Sequence, residues 1–151
     1  MGGEEELPRV TIRAARFSDA PRIASLAGQL GYPSTAKQVT ARLEGILGQA
    51  EHVVFVAERG GGEIAGYVDV FLFRTAASDV RAEIGGLVVD EASRSQNIGR
   101  MLMARAEDWA REKGCSECGL RSNVIREGAH RFYESLGYRV NKTQKSFRKK
   151  L

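Results

Sequence analysis

Two strongly apolar segments, Val53-Val54-Phe55-Val56-Ala57 and Ile64 to Phe73, stand on either side of Gly60-Gly61-Gly62. That arrangement constrains the chain more than any other feature. A glycine turn this short brings the chain back beside itself as a hairpin, with no length for the crossover that parallel neighbours require. After the polar link Thr75 to Asp79, a third apolar segment from about Val80 to Val89 adds another antiparallel neighbour.

The flanking sequence supplies the remaining elements. Arg9-Val10-Thr11-Ile12-Arg13-Ala14 alternates and predicts a first strand. Ser18-Asp19-Ala20-Pro21 pairs a capping side chain with a first-turn proline, Ile23, Leu26, Ala27 and Leu30 share one helical face, and Gly31 ends the run. Thr35 and Gln38 have capping-box spacing, and Val39, Leu43, Ile46 and Leu47 carry a second helix to Gly48. A third helix runs from about Asn97 to Lys113, with Ile98, Leu102, Ala106, Trp109 and Ala110 inward and Gly114 as its stop. Ser116 to Arg121 reads as a strand, Ile125 or Arg126 to Leu136 as a helix capped by Gly137, and Tyr138 to Val140 and Thr143 to Arg148 as closing strands. The order is β-α-α-β-β-β-α-β-α-β-β, an α+β (mixed α/β) architecture around one sheet.

With 151 residues, 42% of them hydrophobic, the chain suits a single domain over 1–151 with one packed core. No apolar run is long enough to span a bilayer. The acidic start Met1-Gly2-Gly3-Glu4-Glu5-Glu6 lacks the basic and apolar regions of a signal peptide, and Glu6 lacks the hydroxyl of a myristoylation pattern. The expectation is a cytoplasmic protein without a membrane partner, with residues 1–7 disordered. Six basic residues and no acidic one follow Ser135, which leaves a net −2 on the rest of a chain whose total is +4. Basicity is thus confined to the tail; interleaved aromatics are lacking, and a lysine-protected edge strand explains the pattern better than a nucleic-acid partner. That edge hairpin, Asn141 to Phe147, is a surface that can pair with a second subunit as a homodimer. Cys115-Ser116-Glu117-Cys118 has no second CxxC or HxxxH, so no metal site is expected, and the two are read as ordinary reduced cysteines.

Function is concentrated in "VVDEASRSQNIGRMLM", Val88 to Met103, where a strand gives way to a polar turn that launches a helix. A helix start leaves N–H groups unpaired and carries partial positive charge, so it favours anions. Gly99 permits close approach, Asn97 tolerates a positive φ, and Arg94 and Arg100 are suited to phosphate oxygens. The turn is neither a P-loop, which needs Gly-Lys-Ser/Thr, nor a dinucleotide fingerprint, which needs GxGxxG after a parallel strand.

The element order together with Arg94-Ser95-Gln96-Asn97-Ile98-Gly99 resembles the GNAT superfamily of acyl-CoA-dependent N-acyltransferases, whose pyrophosphate motif is Gln/Arg-x-x-Gly-x-Gly/Ala. Arg94 takes the first position, Gly99 the last, and Asn97 stands on the inner glycine. Arg126 to Tyr138, "REGAHRFYESLGY", resembles the second motif, Asn-x-x-Ala-x-x-Phe-Tyr-x-x-x-Gly-Phe/Tyr, with Arg126 on the Asn position. The resemblance covers nearly the whole chain and implies a mostly antiparallel sheet of six or seven strands with about four helices.

It also implies roles. Acetyl-CoA would lie with its pyrophosphate on the amides of about Gln96 to Arg100, Ile98 and Gly99 included, beside Arg94 and Ser95. Its pantetheine arm would run along Leu87-Val88-Val89, with an N–H near Val88 or Val89 serving the oxyanion. Arg126 and Phe132 of the second motif fall on the cofactor side, Arg126 contacting the pantetheine or a phosphate, or else only capping its helix. Tyr133 is the candidate acid to the leaving sulfur, or else an aromatic packing residue. Glu83 is the candidate base, or else a strand glutamate paired with Arg81, the proton then leaving through water. His130 is read as a polar helix residue. Tyr67 and Asp69 are candidates for the acceptor cleft and Tyr32 for its rim. The implied activity moves an acetyl group from acetyl-CoA to a primary amine on a small molecule or peptide, with a CoA-binding sensor as the alternative.

Overall fold

A computed structural model describes residues 9–94, 96–122, 124 and 126–151. The predicted glycine hairpin forms: the Gly62 N–H donates to the Arg59 carbonyl and the Arg59 N–H to the Glu63 carbonyl, both at 2.8 Å. It joins β2 (His52–Arg59) to β3 (Ile64–Thr75) in antiparallel register, with β1 (Val10–Ala14) on the far side of β2. The polar link expected from Thr75 to Asp79 is instead a tight turn, because Thr75 faces Ser78 with their hydroxyls 2.8 Å apart. β4 (Ser78–Val89) therefore starts two residues before Val80. β5 (Cys118–Leu120) adds a short parallel strand, which gives the order β1-β2-β3-β4-β5.

The chain divides into two compact units, residues 1–120 and 121–151. The first holds the sheet, α1 (Ala20–Gln29), α2 (Ala36–Glu44) and α3 (Ile98–Glu112). Strand alternation gives each sheet face its own cover. On one face Val54, Val56 and Val88 join Ile23, Leu26, Val39 and Leu43 of α1 and α2 in a buried cluster. α3 lies on the other face, where a Cβ on Gly66 would come within 2.7 Å of the Val88 carbonyl oxygen and 3.2 Å of Leu102. Glycine at 66 is what lets β3, β4 and α3 approach this closely.

Helix ends follow local chemistry. Thr35 and Gln38 make the reciprocal capping box predicted for α2. The α1 start departs from expectation: Asp19 makes no capping bond to α1 and instead accepts the Arg16 N–H of the preceding turn at 2.8 Å and both terminal nitrogens of Arg13 at 2.8 and 2.9 Å, while Arg13 Nε reaches Glu58. Gly31 and Gly114, both at positive φ, close α1 and α3 as Schellman caps, the next residue's N–H reaching back to Ala27 and Ala110 respectively.

The second unit contains α4 (Glu127–Ser135), and Gly137 (φ 94°) ends it in the same way. The Tyr138 N–H donates to the Tyr133 carbonyl and the Gly137 N–H to that of Glu134. The closing strands expected at 138–140 and 143–148 are not formed; residues 138–151 have no regular secondary structure. Five strands are described rather than six or seven. Alternation in this tail is carried by so few apolar side chains that it buries no face: Phe147 is 90% exposed and Val140 74%. The hairpin on which the homodimer expectation rested is thus missing among the described residues.

Candidate active site

β4 leaves the sheet through a 3-10 turn, Glu91–Ser93, and α3 starts at Ile98. Asn97 between them adopts φ 60° and ψ 14°, the left-handed conformation, and is alone among the described non-glycine residues in doing so. Its side chain makes no cap bond, so what it contributes is backbone direction. Its carbonyl accepts the Met101 N–H, the first bond of the helix, so the N–H groups of Ile98, Gly99 and Arg100 precede any intrahelical acceptor. The Gln96 N–H is already committed to the Ser93 carbonyl at 3.2 Å, which shortens the expected set of donors by one. Ile98 is fully buried and anchors the turn in the core, while Arg94 and Arg100 are exposed at its mouth. Ser95 lies outside the described residues. Asp90 ties the turn to α1, accepting from Gln29 at 3.0 Å and pairing with Arg22 at 3.2 Å; the Gln29 amide, and then Arg22, hold its carboxyl below the usual range.

Beside this turn β4 has an open edge. Its ladder with β5 ends at Ile84 opposite Leu120, so Leu87, Val88 and Val89 pair only with β3 among the described residues. A main chain with one unpaired edge can accept an extended amide-bearing arm as a further strand.

Where that ladder ends, a cavity of about 590 Å³ opens beneath α1 and α2. Tyr67, Asp69, Gly85 and Gly86 line it from the sheet, and Leu30, Tyr32, Ser34 and Arg42 from the helices and their link. Tyr32, 70% exposed, stands on the rim because the α1 Schellman cap turns the chain there. His52 Nε2 donates to Asp69 Oδ1 at 2.7 Å, a pairing that sequence reasoning missed. Burial, and then the Asp69 charge, push the Tyr67 phenol up to about 12, partly opposed by Arg42. It therefore remains a neutral hydrogen-bond donor at physiological pH.

A bulge organises this face. Asp69 pairs with Gly86 but Val70 with Ile84, so Gly85 is one extra residue in β4. A Cβ at Gly85 would lie 2.9 Å from Asp69 Oδ1 and 3.3 Å from the Phe71 ring, so only glycine fits without displacing them. The extra residue reverses the alternation of β4 and places Glu83, opposite Phe71, on the same face as Asp69 and Tyr67. Glu83 is buried at 8% exposure, and Arg81 Nε donates to it at 3.2 Å. On β5, a Cβ at Gly119 would come within 2.8 Å of its carboxylate, so that glycine makes the space it occupies.

In the second unit Tyr133 is half-buried between Phe132 and Tyr138, with ring centroids 5.3 and 6.1 Å away. Burial raises its phenol above the ordinary value, opposed by the Arg126 charge. Arg126 immediately precedes α4 and makes no side-chain cap bond. His130 lies half-buried on that helix.

The model of the Acetyltransferase (GNAT) family matches residues 21–138. The chain belongs to that family. It is an acyltransferase, and acetyl-CoA is its cosubstrate. Aminoglycoside N(6')-acetyltransferase type 1 of Stenotrophomonas maltophilia is 30% identical over 132 residues, 85% of each chain. Aminoalkylphosphonate N-acetyltransferase of Salmonella typhimurium is 38% identical over 79 residues, 52% of this chain and 51% of that one. Among solved structures, aminoglycoside N-acetyltransferase AAC(6')-Iy in complex with CoA superposes with a TM-score of 0.85 at 19% identity, covering 97% of this chain and 99% of that one, a likeness of fold.

This GNAT chain fits a nucleotide thioester on its own geometry: a helix start whose first N–H groups have no intrahelical acceptor, two exposed arginines and an open strand edge. Among the described residues no cluster of three or more His, Cys, Asp or Glu is placed to hold a metal, and no helix is long and apolar enough to cross a membrane. Cys115 lies in the turn after α3 and Cys118 opens β5, two residues later than the strand was expected to start; they form no disulfide. Besides His52, sequence reasoning missed Arg42, Ser34 and Gly85. Their signal is tertiary, since each gains meaning only from the bulge and from helices folded over the sheet.

Proposed function

We propose that this protein is an N-acetyltransferase that moves the acetyl group of acetyl-CoA to a primary amine of a small molecule by direct attack. The observation that carries the proposal is the junction of two features on β4: an open edge at 87–89 leading to an unpaired helix start, and a cavity lined by Gly85 and Gly86 where pairing with β5 has ended. A donor along the edge and an amine in the cavity then meet at one point of the strand.

In this reading the N–H groups of Ile98, Gly99 and Arg100, with Arg94 and Arg100, hold the diphosphate. Leu87, Val88 and Val89 pair with the pantetheine arm, and an N–H of Val88 or Val89 stabilises the oxyanion. An amine with the pKa of free lysine, about 10, is protonated at neutral pH and must lose a proton before attack. Glu83 is our candidate for taking it. The new N–C bond forms as the C–S bond breaks, and Tyr133, placed by the Phe-Tyr pair of the second motif and kept protonated by burial, donates to the departing sulfur. Arg126 and Phe132 are assigned to the cofactor by the same motif. Relatives named as acting on aminoglycosides and on aminoalkylphosphonates support a small-molecule amine. Cysteines outside any disulfide suit a cytoplasmic setting.

The test is thiol release from acetyl-CoA, read with 5,5′-dithiobis(2-nitrobenzoate), across a panel of amines. Amine-dependent release supports the proposal. CoA binding by calorimetry without release from any amine would identify a non-catalytic sensor.

A further inference from the structure

The charged lining of the cavity is unusual in being minimal and two-signed. Of the described residues around it, Asp69 and Arg42 alone carry charge, and they are not paired with each other. Asp69 is set into the floor, held by His52 at 2.7 Å and given room by Gly85. Arg42 stands on α2 at the mouth, where its Nη1 donates to the Ser34 hydroxyl at 2.8 Å and it meets no carboxylate among the described residues. That bond uses one of five guanidinium N–H donors and braces the group, so the remaining fork is available. Tyr67 lies where both charges act on its hydroxyl. The walls between are apolar, from Ile23, Leu30, Val39 and Leu43.

We propose that the cavity selects small zwitterions: a primary ammonium group seated at Asp69, joined by a short chain to an oxyanion gripped at the mouth by Arg42, which Ser34 braces while its own hydroxyl donates to the Tyr32 carbonyl at 3.2 Å. This rests on the acetyltransferase reading for the ammonium end and adds the other end of the acceptor. A guanidinium with no carboxylate partner is a costly neighbour for a second ammonium group but a bidentate partner for a carboxylate or a tetrahedral oxyanion. An aliphatic spacer fits the apolar walls. Polyamines and other polycations are disfavoured by the same arginine, which makes the selection both attractive and repulsive.

The test uses matched probes with acetyl-CoA: 3-aminopropylphosphonate, 3-aminopropanoate, propylamine and 1,3-diaminopropane. kcat/KM is expected to be at least about tenfold higher for one or both zwitterions than for propylamine, and lowest for the diamine, since each good charge-assisted contact corresponds to about one factor of ten. The preferred zwitterion shows whether the mouth takes a tetrahedral or a planar oxyanion. Arg42→Gln should collapse the zwitterion-to-propylamine ratio toward one, Arg42→Lys should restore part of it, and Asp69→Asn should weaken every amine. Calorimetry of the probes on protein saturated with CoA gives an independent reading. Zwitterion binding that depends on Arg42 and Asp69, with no thiol release from any probe, would uphold the ligand class and reject the acetyltransferase reading. Propylamine or the diamine turning over as well as the zwitterions, or an unchanged ratio in Arg42→Gln, would overturn the inference and leave the activity standing. Absence of binding and turnover for every probe overturns it as well.

Discussion

Asn97 is the sharpest test of how the cosubstrate is held. Its φ of 60° lies in the left-handed region, its side chain makes no cap bond, and it stands where the family motif has glycine. If backbone direction is its whole contribution, Asn97→Gly should be silent and Asn97→Ala should cost about 1–2 kcal/mol, the penalty for an ordinary L-residue in this conformation. That cost can appear in two places. If the turn keeps its shape in the Ala variant, stability falls and the melting temperature drops by about 2–4 °C per kcal/mol for a chain of this size, with CoA affinity spared. If the turn relaxes, the melting temperature is spared and CoA must restore the conformation, weakening binding by about 5- to 30-fold. Thermal melts and calorimetric titration with CoA, on wild type and both variants, measure the two shares, and their sum should recover the penalty. An Ala variant that matches wild type in both would refute the argument. So would a Gly variant that loses affinity, because that would show a contact through the amide side chain.

The other expectations concern chemistry and stability. Tyr133→Phe keeps the ring against Tyr138 that accompanies the α4 cap, so CoA affinity should hold within about twofold while kcat falls by about a hundredfold or more, the range for loss of a general acid; unchanged kcat in steady-state assays would leave Tyr133 a purely structural residue. Glu83→Gln should lower kcat by about a hundredfold with CoA binding retained, and a kcat equal to wild type would assign the proton to a water relay. Asp19→Asn removes one of the two carboxylate partners of Arg13 while Glu58 stays, and should cost about 1–3 kcal/mol in chemical denaturation. Burial alone would raise the Asp19 carboxyl, but bonds from Arg13 and the Arg16 N–H outweigh it and hold it below the ordinary value. Its contribution is therefore fully present above the unfolded-state value of about 4 and fades as pH falls through the lower folded value. Denaturation from pH 7 down to pH 2 should show wild type and Asp19→Asn converging at the acid end; a constant gap would remove Asp19 from the acid response.

Much of this protein can be read in one dimension, and the readable parts share a cause: they depend on residues near one another in the chain. The Gly60–Gly62 hairpin, the Thr35–Gln38 capping box, the stops at Gly31, Gly114 and Gly137, and the left-handed turn at Asn97 are local events, set by which φ, ψ and short hydrogen bonds each residue allows. Strand alternation failed where burial has to be supplied by something distant. The tail from Tyr138 alternates, yet no strand of it forms, because no apolar face covers it. The site divides in the same way: the helix start at 97–100 follows from its own sequence, whereas the cavity beneath α1 and α2 does not. Simple alternation sets Glu83 and Val88 on opposite faces of β4. The extra residue at Gly85 reverses that, brings Glu83 to the face of Asp69 and Tyr67, and leaves the space that Asp69 occupies beside His52. A bulge is a property of a strand and its partner together, so only the paired sheet, with α1 and α2 closed over it, decided which side chains of β3 and β4 share a face.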